Sequence, residues 1–195
     1  MRKTSNLSDS RLKGLVKKMR ECGEILFLKG LVDTRSGNAS VRIGDKILIK
    51  KTGSSMPFLS QKDVILLPLY RETEEDIIAS SDLKLHRMIY IEAERKNKDI
   101  SAVLHCHMPE AVSLSFFFDK IIPEDYESKL FIKEINFSDY ERVPEFIAEF
   151  KICVVKGHGV FCGGKDFDEA LFITLMAHNS LRIFMMNTIL RKIIS

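Results

Sequence analysis

Val103-Leu104-His105-Cys106-His107, followed at once by Met108-Pro109-Glu110, is the stretch around which this chain is organised. Its small and branched apolar residues and the closing proline describe a short buried strand that gives way to a helix, because a first helical turn tolerates proline's missing N–H. Alternate side chains of a strand share a face, so His105 and His107 project to one side while Leu104 and Cys106 pack on the other. Two neutral imidazoles this close on a rigid element can share one metal, each offering a lone pair at about 2.0–2.1 Å from zinc. A third ligand then has to come from elsewhere. Taken alone, the pair reads equally well as two polar residues at a sheet rim. The balance moves with Lys156-Gly157-His158-Gly159-Val160, which follows the strand-like run Ile152-Cys153-Val154-Val155. Glycines on both sides let the backbone turn sharply and bring His158 close to another group. The chain has five histidines, and three of them occupy such strand-end settings.

With 195 residues, 45% of them hydrophobic and 29% charged, the chain has the apolar material for one domain over residues 1–195, and disorder is not indicated. Its 30 basic and 27 acidic residues are scattered, so no basic arm or stripe marks a nucleic-acid partner, and the net charge of +3 suits an anionic small molecule. Cys22, Cys106, Cys153 and Cys162 form no Cys-x-x-Cys pair, and three of them sit in apolar runs as small hydrophobes, which reads as reduced thiols. Residues 1–10 lack an apolar signal core, and no uninterrupted apolar run approaches the roughly 20 residues of a membrane span. These features together imply a cytoplasmic protein with no membrane partner.

Outward from the histidine strand, Asp9 or Ser10 can cap an amphipathic helix through Leu12, Leu15, Val16, Met19, Ile25 and Leu26 that stops near Gly30. Residues 37–43 and 46–50 read as two strands joined by a Gly44-Asp45 hairpin turn, and Val64–Leu69 as a short strand in which Pro68 points to an edge or an irregular end. Ser80-Ser81-Asp82 opens a helix through Leu85, Met88, Ile89 and Ile91, with Asn97 at its end. A further helix is expected over 110–118, where Phe116-Phe117-Phe118 are core or subunit contacts. Residues 119–140 carry no clear period. A helix over 143–150, a strand over 151–156 and a long helix over 166–192 capped by Asp166 complete the chain. Hairpins interspersed with helices point to an α/β layered domain with a largely antiparallel sheet.

Taken in order, Gly37-Asn38-Ala39-Ser40-Val41-Arg42, Thr52-Gly53, Ser80-Ser81-Asp82, His105-Cys106-His107 and Gly157-His158-Gly159 resemble the class II aldolase/adducin family, particularly its L-fuculose-1-phosphate aldolases. Order and spacing match over most of the chain, which is more specific than any one segment. The resemblance implies a three-layer α/β/α domain around a central, largely antiparallel sheet, assembled as a homotetramer with sites between subunits. It implies that His105, His107 and His158 bind Zn2+, leaving a coordination position open. It assigns Gly37, Asn38, Thr52, Gly53, Ser80 and Ser81 to a phosphate pocket, a role that suits small residues exposing N–H groups, hydroxyls and a helix start at Ser81.

Asp82 stands where the sugar-phosphate aldolases carry a glutamate acting as general acid/base, and where the related L-ribulose-5-phosphate 4-epimerases carry an aspartate associated with the metal. His86, one helical turn on, fits a supporting role better than ligation. Lys51 replaces a proline that often precedes Thr-Gly, so it is either an added phosphate-facing charge or an exposed lysine. Tyr126 matches a tyrosine given to a neighbouring subunit's site. The activity implied is zinc-dependent cleavage of a phosphorylated ketose to dihydroxyacetone phosphate and an aldehyde through a metal-stabilised enediolate. A 4-epimerase or dehydratase on the same scaffold and a non-catalytic adducin-like binding protein are the alternatives.

Overall fold

The computed structural model describes residues 8–194, so the polar stretch at residues 1–7 lies outside the described residues. Eight strands form one sheet: β1 (Asn38–Ile43), β2 (Lys46–Lys50), β3 (Val64–Pro68), β4 (Ala102–Cys106), β5 (Lys120–Ile121), β6 (Ile135–Ser138), β7 (Ile152–Val155) and β8 (Gly159–Gly164). Their order is β3-β2-β1-β4-β8-β7-β6-β5, antiparallel throughout except for the parallel β6–β7 pair. The histidine strand β4 is therefore central, between β1 and β8, and β3 with its Pro68 takes the edge, where a missing N–H breaks no ladder.

Helices cover both faces. The alternation along β4 sends Leu104 and Cys106 into one core, with Met19 and Leu26 of α1 (Asp9–Leu28) and Ala177 and Leu181 of α6 (Phe167–Ile194). Val103 goes to the other, with Ile89 and Tyr90 of α2 (Leu83–Arg95) and Ile147 of α5 (Val143–Phe150). Two apolar faces on one sheet need two covering layers, and the result is the three-layer α/β/α architecture expected from the sequence.

Several boundaries differ from the sequence reading for local reasons. Ser8, not Asp9 or Ser10, caps α1, its hydroxyl accepting the Arg11 N–H at 3.3 Å. The α2 helix begins at Leu83 because residues 80–83 form a turn closed by Leu83 N–H to Ser80 C=O. The helix after the histidines, α3 (Pro109–Leu114), is shorter than 110–118. The Phe117 and Phe118 N–H groups both turn back on Leu114 C=O, and Phe116 and Phe117 are left exposed. The stretch without a clear period holds β5, α4 (Tyr126–Phe131) and β6. Asp166 does cap α6, accepting the Glu169 N–H at 2.8 Å. All four cysteines are buried and unpaired, and no described helix is long and apolar enough to cross a membrane.

A buried polar chain bolts α2 to β1. The Tyr90 hydroxyl donates to Ser40 C=O at 2.9 Å, so its oxygen is free to accept from the Ser40 hydroxyl at 2.7 Å, and Ser40 Oγ lies 2.6 Å from His86 Nδ1. His86 is thus spent on packing and holds no place in the histidine cluster. Burial pushes its imidazole down to about 4, so it is neutral at neutral pH. Replacing Tyr90 by Phe leaves the Ser40 hydroxyl and carbonyl without this partner in a buried layer. Urea denaturation of Tyr90→Phe is expected to show a loss of about 1–3 kcal/mol with an unchanged m-value.

Candidate metal centre

The register of β4 against β8 assembles the cluster. Pairing of Cys106 with Val160 places the 156–158 turn directly over the end of β4. His105 Nδ1 lies 3.0 Å from Val160 C=O. A carbonyl can only accept, so the ring proton sits on Nδ1 and the lone pair is left on Nε2. His107, one residue past the strand end and anchored by its N–H to Leu31 C=O, brings its own Nε2 to 3.0 Å from that of His105. The His158 ring is centred 4.8 Å from His105 and 5.0 Å from His107. One ligand atom from each of the three lies within 4.8 Å of the others.

Burial holds the His105 imidazole well below its ordinary pKa and lowers that of His107 as well, each reinforced by the like charge its neighbours would carry. Both rings are therefore neutral donors at neutral pH, the form a metal requires. Gly159 makes the approach possible. A Cβ there would meet Cys106 C=O at 2.6 Å and the His105 and His107 rings at 2.9 Å. A three-imidazole donor set with this spacing fits a divalent cation.

Two oxygen groups flank the cluster. Asp82 occupies the capping position of α2 but caps no helix N–H; instead its Oδ2 accepts from Asn38 Nδ2 at 2.7 Å and lies 3.9 Å from His105 Nε2. Tyr140, just after β6, hydrogen-bonds His158 Nδ1, and burial raises its phenol pKa. With that bond made at Nδ1, Nε2 of His158 is the nitrogen left for a metal. Sequence reading missed Tyr140, because only the parallel β6–β7 pairing carries it to the 156–158 turn.

A cavity of about 150 Å³ opens beside the histidines, and every residue the resemblance gave to a phosphate pocket lines it: Gly37, Asn38, Thr52, Gly53, Ser80 and Ser81. Asp82 and the three histidines complete its wall. A second cavity of about 320 Å³, lined by Leu85, Met88 and Tyr140 among others, shares Ser81 and Asp82 with the first. Two positions fall outside. Tyr126 lines neither cavity and is 77% exposed at the start of α4. Lys51 turns away, its ammonium donating to Lys62 C=O at 2.7 Å. The lysine at the cavity is its neighbour Lys50, with Arg35 and Ser36, none of which the motifs flagged.

Fold and cluster together define a candidate divalent-metal centre beside an anion-sized polar cavity. The chain belongs to the class II aldolase and adducin family: the family described as "Class II Aldolase and Adducin N-terminal domain" matches residues 17–185. It is 31% identical over 177 residues to the L-fuculose phosphate aldolase of Methanocaldococcus jannaschii, covering 86% of this chain and 93% of that one. It is also 27% identical over 187 residues to the methylthioribulose-1-phosphate dehydratase of Methylococcus capsulatus, covering 85% and 90%. The structure of L-fuculose-1-phosphate aldolase from Thermus thermophilus superposes with a TM-score of 0.82 at 27% identity, covering 91% of this chain and 96% of that one.

Metal analysis after dialysis against a weak chelator tests the centre. His107→Ala and Gly159→Ala are each expected to lose stoichiometric metal, the first by deleting a donor and the second by wedging a methyl between the rings. Tyr140→Phe, which removes only the hydrogen bond behind His158, is expected to weaken affinity about tenfold. Full metal retention in all three would remove the assignment.

Proposed function

We propose that this chain is a zinc-dependent class II aldolase that cleaves a phosphorylated ketose to dihydroxyacetone phosphate and an aldehyde, or runs the reverse addition. The observation that carries the reading is that the three-histidine cluster, the Asp82 carboxylate and the donor-lined cavity meet in one place. A divalent ion held by His105, His107 and His158 supplies Lewis acidity, stabilising the negative charge that develops on oxygen as the carbon–carbon bond breaks.

The chain's own groups do the rest. Asn38, Thr52, Ser80 and Ser81, with the backbone at Gly37 and Gly53, hold the phosphate and fix the distance from it to the ketose carbonyl. Asp82, poised between this cavity and the larger one, takes the hydroxyl proton from the carbon that departs as the aldehyde and hands it to the carbon left behind, and the reverse addition moves the same proton back. Asn38 orients that carboxylate through its 2.7 Å hydrogen bond. The larger cavity, with Leu85 and Met88, receives the departing aldehyde.

The reading extends to a single-domain, cytoplasmic protein assembled as a homotetramer. Phe116, exposed beside the 156–158 turn, supports a neighbouring subunit covering this end of the molecule, and Phe117 and Tyr126 are further exposed aromatic side chains that a subunit contact would bury. Loss of water from a similar ketose phosphate is the second reading, favoured by the likeness to the dehydratase over 90% of its length. A panel of ketose phosphates incubated with the metal-loaded protein separates the two. Release of dihydroxyacetone phosphate sustains the aldolase, a dehydrated product sustains the second reading, and an epimer would place the chain with the epimerases.

Asp82→Asn keeps the side chain's size and a potential ligand oxygen but cannot take up a proton at neutral pH. Turnover is expected to fall about 10²–10⁴-fold with metal and substrate binding retained. Weakened metal affinity would instead make Asp82 a fourth ligand. Full activity with unchanged affinity would leave it outside the chemistry.

A further inference from the structure

Lys50 ends β2 at the cavity, and its side chain is buried, with 3% of the residue exposed. Its ammonium donates to Ser54 C=O at 2.5 Å and lies 3.5 Å from Arg35 C=O. These carbonyls belong to the two loops that enclose the cavity, one before β1 and one after β2. Both partners are neutral, and two contacts leave the third N–H of the ammonium unused. The carboxylate acting on it electrostatically is Asp33, which is already engaged by the Arg35 and Ser36 N–H groups at 2.6 Å. Burial lowers the Lys50 pKa, the signature of a cation whose surroundings do not repay its lost hydration.

A buried ammonium with carbonyl partners and no ion pair among the described residues is short of a counter-ion, and the cavity it lines is where one can enter. The donors that the motifs assign to this cavity, Asn38, Thr52, Ser80 and Ser81, are all uncharged, so they bind phosphate without neutralising it. Arg35 is exposed and its charge is screened by solvent.

We propose that Lys50 is the charge-bearing residue of the anion subsite: its ammonium, held by the two loop carbonyls, pairs with the ligand's phosphate and makes binding selective for phosphorylated over neutral ligands. This rests on the phosphate assignment made above. It gives the adjacent lysines separate duties. Lys51 fastens the loop to Lys62 from outside, while Lys50 supplies the charge from within.

Calorimetric titration of the metal-loaded protein with inorganic phosphate, dihydroxyacetone phosphate and dihydroxyacetone tests it, using wild type, Lys50→Met, Lys50→Arg and Lys51→Met. Lys50→Met is expected to weaken both phosphorylated ligands tenfold or more, to leave dihydroxyacetone unchanged, and to flatten the salt dependence. Lys50→Arg restores part of the affinity, and Lys51→Met matches wild type. A loop fastener alone would shift thermal stability without changing the ratio between phosphorylated and neutral ligand. If wild type binds phosphate and Lys50→Met binds it equally well with the same salt slope, Lys50 is excluded and the phosphate pocket stands. If wild type does not distinguish dihydroxyacetone phosphate from dihydroxyacetone, the phosphate reading itself fails. Should Lys50→Met not fold, a crystal structure of the wild-type protein with phosphate decides. A phosphate oxygen within hydrogen-bond reach of Lys50 Nζ sustains the proposal, and a cavity phosphate beyond that reach overturns it.

Discussion

The structure depends on the antiparallel register between the histidine strand and β8. Pairing Cys106 with Val160 sets the Val160 carbonyl against His105 Nδ1, fixes that ring's tautomer, and folds the glycine-flanked turn so that His158 arrives over the strand end. A slip of one residue would turn His105 into the core shared by Leu104 and Cys106 and carry His107 to the opposite face. Such a slip is opposed by burial on both faces of β4, where every residue from Ala102 to Cys106 is buried. Hydrophobic burial that stabilises the sheet is therefore the same force that aims the imidazoles.

Around that fixed pair the remaining groups are delivered by separate elements. The start of β1 brings Asn38, the end of β2 brings Lys50, the turn before α2 brings Ser80 to Asp82, and the segment after β6 brings Tyr140. Gly37 shows how closely these are drawn in: its φ of +73° and a would-be Cβ only 2.9 Å from His105 C=O leave room for no side chain. The site is built at one end of a rigid sheet, with polar atoms on short loops and their supports inside the layers.

How much of this could be read from the chain follows from the range of the signals. His105 and His107 were legible because period-two alternation is local, and His158 because two glycines announce a tight turn. The residues that line the smaller cavity were legible only as an ordered set, since each alone is an ordinary turn or cap. Tyr140 was not legible: a parallel strand pair between distant segments decides its position, and nothing local reports that pairing. Lys50 was passed over for Lys51 because alternation sends Lys50 into the same layer as Leu48, a direction usually reserved for apolar residues. Its long stem reaches the end of the sheet and puts only the ammonium among the loop carbonyls. Helix ends at Leu83 and Leu114 were misplaced by a few residues, as competing turns decide them.

The central claim is that one divalent ion is held by three imidazoles, from β4, the residue just past its end and the β7–β8 turn. X-ray absorption at the zinc edge of the stoichiometrically loaded protein tests it most directly. The account requires three histidine nitrogens at about 2.0–2.1 Å, completed by oxygen, with no sulfur in the shell, since Cys106 packs on the far side of the sheet. A sulfur-containing shell, or one with fewer than three imidazoles, would contradict it.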